Sequence, residues 1–245
     1  MTAASVTRET LDLLLPRGCL ACGMRIPPED VNGMICPSCR VRLRPPPAPF
    51  CARCQAPRGT GQPPGEVCLE CRDWPEILVS ARAAVVLDPA AGALIHALKY
   101  RGWRNIAQLM GEKMLLYSPS VLVSPLVVPV PTTSWRRRTR GYNQAAVLAE
   151  VFSGFRNLPM KEVLYRGSGR TQVRLGPRER AMNVQGAFTV RTDSRSRIQG
   201  RDVILVDDVL TTGATAKAAA RALEAGGAAT VHLRTFARAL PFSLR

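Results

Sequence analysis

The 245-residue sequence contains no long hydrophobic run. Apolar pieces such as Leu13 to Leu15 and Leu126 to Val130 fall far short of the ~18 residues that a membrane span needs, so no spanning helix is expected. The N-terminus also lacks the basic region of a signal peptide. Glu9 and Asp12 stand in its place, the apolar piece is only Leu11 to Leu15, and the Pro-Arg-Gly before Cys19 makes a poor lipobox. No export is expected, which implies a cytoplasmic location. Histidine is nearly missing, with two residues in the chain. His96 falls in a helical pattern and His232 in a strand pattern, and neither has a cysteine or acidic partner nearby in sequence, so both read as packed or surface residues. The chain has neither G-x-x-x-x-G-K-[ST] nor G-x-G-x-x-G, which removes a P-loop nucleotide site and a Rossmann dinucleotide site.

Acidic residues are also scarce, 18 against 34 Lys and Arg, for a formal net charge of +16. The imbalance is local. Residues 1–80 hold 9 basic against 8 acidic residues, residues 81–245 hold 25 against 10, and residues 136–201 alone hold 15 against 4. Such a concentration points to an anionic partner, phosphate esters or nucleic acid, with a solvated arginine-rich surface as the alternative.

A hydrophobic content of 46% is enough for one large domain, or for a domain with a smaller appendage. The chain divides near Trp74 to Ala81: twelve of the 20 prolines and all eight cysteines precede residue 80. The expected organisation is a small cysteine-rich domain over 1–80 and a larger domain over 81–245. The cysteines form Cys19-x2-Cys22, Cys36-x2-Cys39, Cys51-x2-Cys54 and Cys68-x2-Cys71, with 13 residues between the inner cysteines of each successive pair of knuckles. A Cys-x2-Cys knuckle aims two thiolates at one ion, and two knuckles complete a tetrahedron, so this repeat predicts two structural Zn2+ sites. The proline-rich segment has little apolar content, so metal binding would supply its folding free energy. The rival, a disulfide framework, needs an oxidising compartment. Spacing alone leaves consecutive and interleaved pairing of the thiolates open.

Beyond residue 80, strands are expected at 82–87, 126–130, 202–206 and 230–237, and helices at 91–100, 106–117, 143–152 and 214–225, the last closed by Gly226 and Gly227. Apolar strands without alternation, separated by helices, predict an α/β fold with a parallel sheet covered on both faces. Ligands of such sheets sit at the carboxyl ends of the strands.

Val203 to Thr215, VILVDDVLTTGAT, places Asp207 and Asp208 at such an end, before a Thr/Gly turn that opens a helix. Free amides at the helix start, helped by threonine hydroxyls, cradle a phosphate, and Gly213 lets the backbone approach closely. Two neighbouring carboxylates accept hydrogen bonds from vicinal hydroxyls. Together they describe a site for a ribose 5-phosphate. A Walker B segment lacks its P-loop here, and a receiver-type acid pocket does not account for the phosphate turn.

This stretch resembles the phosphoribosyl-pyrophosphate (PRPP) motif of type I phosphoribosyltransferases. With LIHALKYRGWRNIA at 94–107, VVPVPTTSWRRRTRGYNQA at 127–145 and RTQVRLGPRERAMNVQGAF at 170–188, nearly the whole chain resembles the ComF family. That family joins a cysteine-knuckle segment, a double zinc ribbon, to a phosphoribosyltransferase domain. The resemblance implies that Asp207 and Asp208 hold the ribose hydroxyls and act in catalysis. It places Thr211, Thr212, Gly213, Ala214 and Thr215 on the 5-phosphate, Pro131, Thr132 and Thr133 in the pyrophosphate loop, and Arg140 and Lys99 among the binding residues. Arg136, Arg137 and Arg138 stand ready for a diphosphate or, with Trp135 as a stacking surface, for single-stranded nucleic acid.

The segment 170–180 resembles the flexible hood of glutamine PRPP amidotransferases, with Arg170, Arg178 and Arg180 facing the substrate. The glutaminase half of those enzymes needs an N-terminal cysteine nucleophile. This chain begins Met1-Thr2, so glutamine-dependent amidotransfer is not expected. The family also implies Mg2+ held with PRPP, and association with DNA uptake in natural transformation, with single-stranded DNA and other competence proteins as partners. The alternative is a phosphoribosyl transfer to some acceptor, unrelated to DNA.

Overall fold

In a computed structural model of the chain, residues 17–27, 30, 33–58, 68–117, 122, 124–167 and 187–240 are described. Four parallel strands in the order β1-β6-β5-β2 form the central sheet: β1 Leu78–Val86, β2 Leu126–Pro129, β5 Asp202–Leu210 and β6 Thr230–Arg238. Among the described residues the α-helices are α1 Pro37–Arg42, α2 Pro89–Tyr100, α3 Ile106–Met114, α4 Ser134–Arg140, α5 Gln144–Arg156 and α6 Ala214–Ala225. A separate antiparallel hairpin pairs β3 Leu164–Arg166 with β4 Phe188–Val190.

The absence of polar alternation in β5 has a direct structural cause. Ile204 and Val206 enter a core with Leu94, Ile106, Met110, Leu148 and Phe152 of α2, α3 and α5. Val203 and Leu205 enter the opposite core, with Ala219 and Leu223 of α6 and with Leu164 and Phe188 of the hairpin. Both faces of the strand are therefore dry, as a parallel sheet requires.

The cysteine knuckles contribute to these same cores. Cys19, Ile26, Ile35, Cys36, Cys39 and Leu43 join the first, while Cys51, Cys54, Cys71 and Trp74 join the second. The low apolar content of the N-terminal segment is thus offset by packing against the sheet's helices as well as by metal. Arg53 holds the second knuckle pair to the sheet, donating to the carbonyls of Leu78 (3.1 Å), Cys71 (3.2 Å), Trp74 (3.2 Å) and Pro75 (2.8 Å). From the far end of β6, buried Arg238 donates to the Cys54 carbonyl (2.7 Å) and pairs with Glu70 (2.5 Å).

Three expectations are corrected. β5 was expected to end at Val206 but runs on to Leu210, because β6 continues to pair with it, Asp207 opposite Thr235 and Leu210 opposite Arg238. On its other side β2 stops at Pro129 opposite Val206, so one flank of β5 opens at the acid pair. The helix expected over 106–117 is α-helical only to Met114 and tightens into a 3-10 turn over Leu115–Tyr117. The basic stretch contains a helix that apolar periodicity could not signal: α4, SWRRRTR, has no buried residue. Its ends hold it, with Thr133 Oγ1 accepting from the Arg136 amide (3.3 Å) and Gly141 closing it in the left-handed region at φ 79°.

No described helix is long and apolar enough to cross a membrane. His232 is buried in β6, with ring contacts to Ser80 Oγ (2.9 Å) and Thr230 Oγ1 (3.1 Å), and His96 is exposed beside Tyr100. Both are packed or surface residues, as expected.

Candidate functional site

The acid pair lies where β5 has lost β2 and still holds β6. Asp208 is buried, and its carboxylate forms an ion pair with Lys99 at the end of α2. Asp207 is half-buried, and its Oδ1 accepts from the Asp208 amide at 2.8 Å. Burial and the neighbouring Asp208 charge push the Asp207 carboxyl well above the usual carboxylate range, against the opposing pull of Lys99. The two carboxylates are therefore unequal: one is tied to an ammonium, and the other is poised to gain from a hydroxyl donor or a cation.

After Leu210 the chain turns through Thr211 and Thr212, both exposed, into Gly213, the N-cap of α6. No side chain caps this helix, and its first turn holds no acidic residue, so its leading amides are left for a ligand. A small cavity of about 40 Å3 lies under Thr211 to Thr215 and reaches Asp207. Gly213 sits at φ 76° with the Trp74 ring behind it, where a Cβ would come within 2.8 Å of Trp74 Cζ2. Trp74 is buried, and its indole N–H has no hydrogen-bond partner among the described residues. It follows Cys71 by three residues, and its amide donates to the Cys71 carbonyl (3.1 Å). Trp74 thus links the second knuckle pair to the phosphate-type turn, a link that no local sequence pattern encodes.

Pro131, Thr132 and Thr133 follow β2 on the open side of the acid pair, half-buried. The segment is held at its base by the Val130 amide on the Val206 carbonyl (2.9 Å) and by buried Asn143, whose Nδ2 donates to the Val130 carbonyl (3.0 Å). Pro131 and Thr132 border a second cavity of about 80 Å3 shared with Asn143 and Arg166. Arg166, from the hairpin, lies over the Phe188 ring (5.2 Å). Burial lowers its pKa, Arg136 lowers it further, and Asp207 opposes both, so its guanidinium belongs to this same electrostatic environment. Sequence reading missed Arg166, Trp74 and Asn143, since the first sits in a three-residue strand and the other two act only through tertiary contact.

Trp135 is 71% exposed on α4. Arg136 and Arg138 face solvent, and Arg137 makes an exposed pair with Glu162 (3.4 Å), a contact worth little in water. Arg140 is half-buried, with its guanidinium over the Tyr100 ring (4.6 Å) and a hydrogen bond to Gln144 Oε1 (3.1 Å). Arg170, Arg178 and Arg180 lie outside the described residues.

The eight cysteines gather as Cys19, Cys22, Cys36 and Cys39, and as Cys51, Cys54, Cys68 and Cys71, each set with its sulfurs within 4.8 Å of one another. Pairing is therefore consecutive rather than interleaved, and none of the eight is in a disulfide. The sulfurs suit a cation. In the first set burial raises the Cys19 thiol, but the amides of Cys36, Cys22 and Ala21 outweigh it and bring the pKa down to about 6. In the second, the Cys54 and Arg53 amides bring Cys51 to about 7 against burial. Burial and neighbouring thiols push Cys39 and Cys54 up, because crowded sulfurs cannot all carry charge unless a metal neutralises them.

Two family models match this chain, one in each part. A double zinc ribbon model matches residues 10–72, and a phosphoribosyl transferase domain model matches 159–240. The competence protein ComFC of Bacillus subtilis is 30% identical over 213 residues, covering 83% of this chain and 84% of that one. The DNA utilization protein YhgH of Escherichia coli K12 is 29% identical over 200 residues, covering 78% and 85%. Competence protein F of Haemophilus influenzae is 26% identical over 217 residues, covering 85% and 91%. With two four-cysteine zinc-ribbon groups packed on a phosphoribosyltransferase-fold sheet, and with this likeness over most of its length, the chain belongs to the ComF family.

Proposed function

We propose that this protein binds PRPP together with Mg2+ and serves the handling of DNA during its uptake. The observation that carries the first half is one small cavity shared by Asp207 and the uncapped start of α6, with Asp208 next to Asp207 on β5. The ribose diol would donate to the carboxylates, and the 5-phosphate would accept from the amides and hydroxyls of 211–215. Pro131 to Thr133 and Arg166 would face the diphosphate, with Lys99 holding Asp208 in place. The donor set fits a hard cation bound mainly through substrate oxygens, since Asp207 adds a carboxylate that burial leaves short of compensation. When bound, Mg2+ would neutralise charge on the diphosphate. The DNA half rests on the names of the relatives, on the net charge of +16 and on exposed Trp135 beside Arg136 to Arg138.

Titrating PRPP with Mg2+ while following diphosphate release tests the reading. Saturable binding without turnover supports a binding role. Steady release with an added acceptor supports the alternative, phosphoribosyl transfer, and absence of binding removes the site.

The raised Asp207 pKa gives a pH dependence with a definite sign. The folded, unliganded protein favours protonated Asp207, whereas the unfolded chain loses that proton near pH about 3.9. Stability of the free protein therefore falls as pH rises from there through the raised value. Hydroxyls donating to the carboxylate favour its ionised form, so affinity for ribose 5-phosphate rises with pH over the same window and binding releases a proton. Calorimetry in buffers of differing ionisation enthalpy reads this release, and Asp207→Asn should lower it, leaving the share that comes from the ligand's phosphate.

Gly213→Ala is expected to cost at least about 1–2 kcal/mol of stability from its left-handed backbone alone, with a further cost from the Trp74 clash. It should also weaken ribose 5-phosphate binding about tenfold or more, as denaturant melts and titration would read. A variant as stable as the wild type would contradict the backbone assignment.

A further inference from the structure

Leading away from the acid pair is a run of alternating aromatic and cationic side chains of which only Arg140 is also assigned to PRPP by the family resemblance. It starts one residue beyond Lys99. Tyr100, 63% exposed, carries the Arg140 guanidinium on its ring at 4.6 Å. Arg140 and Arg104 both act electrostatically on the Tyr142 hydroxyl, and Arg104 lies over that ring at 5.4 Å. Next to Arg104, Trp103 is 46% exposed. Trp103 and Arg104 form one wall of a groove of about 900 Å3 between the first knuckle pair and α3. The other wall includes Arg17 and Arg40, the latter paired with Asp30 at 3.1 Å, and Glu112 is the carboxylate that borders the groove.

Packing does not account for this arrangement. Tyr100 and Trp103 stay in water although both could bury large apolar area, and they do so beside arginines. A guanidinium stacked on a ring uses its face and keeps its in-plane N–H donors for phosphate oxygens. Exposed ring faces accept unpaired bases of any sequence. Bases in a duplex present edges and would leave such faces unused.

We infer that Tyr100, Trp103 and Arg104, with Arg140 and the groove beyond them, form a track for single-stranded nucleic acid that runs from the Asp207/Asp208 site toward the first zinc group. This deepens the DNA half of the proposed function and rests on it. It takes from α4 only its last residue, Arg140, and does not use Trp135 or Arg136 to Arg138.

The test uses the full-length, zinc-loaded protein and an oligothymidylate probe. Trp103→Ala and Tyr100→Ala should each weaken binding about tenfold. Tryptophan emission should be quenched by the oligonucleotide in the wild type and in Trp135→Phe, and the quench should disappear in Trp103→Phe. Ribose 5-phosphate binding by Trp103→Ala should match the wild type, which shows that the variant is folded. A duplex should compete poorly. A uridine oligonucleotide competing equally would mean that the track recognises single strands by the chemistry DNA and RNA share, and failure to compete would assign it to DNA. If the wild type binds the probe but both alanine variants bind as well, and only neutralising Arg136 to Arg138 weakens it, the track is wrong while the DNA reading stands. If the wild type binds no oligonucleotide, the DNA reading falls and the track with it, leaving the PRPP site to its own titration.

Discussion

Asp207→Asn/Asp208→Asn is expected to lower PRPP affinity at least about a hundredfold while leaving the protein folded. In the proposed site each carboxylate would accept a charge-assisted hydrogen bond from a ribose hydroxyl, worth about 1.5–3 kcal/mol, and two of them amount to a factor of a hundred or more. The single variants should differ. Among the described residues Asp207 makes no ion pair, and neutralising it also relieves the repulsion between the two acids, so Asp207→Asn should lose affinity without losing stability. Asp208→Asn frees Lys99, whose side chain is 22% exposed, so part of the effect should appear as a lower melting temperature. Titration calorimetry and thermal melts on the three variants separate these outcomes. A double variant that binds within threefold of the wild type would sink the assignment.

Removing zinc is expected to have the larger effect on folding, and to reach well beyond the N-terminal segment. A structural zinc site is worth about 10–16 kcal/mol in small peptides, comparable with the whole stability of a domain, about 5–15 kcal/mol. Here the four-cysteine groups also share the two cores of the sheet, so their loss would expose Ile35, Leu43 and Trp74 along with the faces they cover. A strong chelator should abolish the near-ultraviolet dichroism of the protein, and more readily at low pH, where thiols are protonated.

The two groups should not be equivalent. Cys71→Ser should loosen Trp74 behind Gly213 and weaken ribose 5-phosphate binding, whereas Cys19→Ser should act on the α2 and α3 face and spare the turn. Chelated protein that keeps its near-ultraviolet signal and its ligand affinity would show that the metals do not support the fold.

Much of the site was legible because it is local. VILVDDVLTTGAT specifies a buried strand, two acids, a left-handed glycine and a helix start within 13 residues, and each step follows from backbone and side-chain chemistry. The four Cys-x2-Cys knuckles were legible for the same reason. Lys99 came from family resemblance, and only the fold brings its ammonium to Asp208. α4 escaped notice because it buries nothing, and periodicity reports burial rather than caps. The β3–β4 hairpin escaped because its strands are three residues each and are separated by a long segment.

The amino-acid order by itself determined the parallel sheet, the two metal groups and the acid pair with its phosphate-type turn, because each arises from near neighbours in the chain. Tertiary structure decided the rest. It made the cysteine pairing consecutive, ended β2 opposite Val206 so that one flank of β5 opens at the acids, and set Trp74 behind Gly213. It also laid Tyr100, Arg140, Tyr142 and Arg104 side by side. Those are contacts between segments tens of residues apart, chosen by how two cores close around one sheet, and no local propensity carries that information.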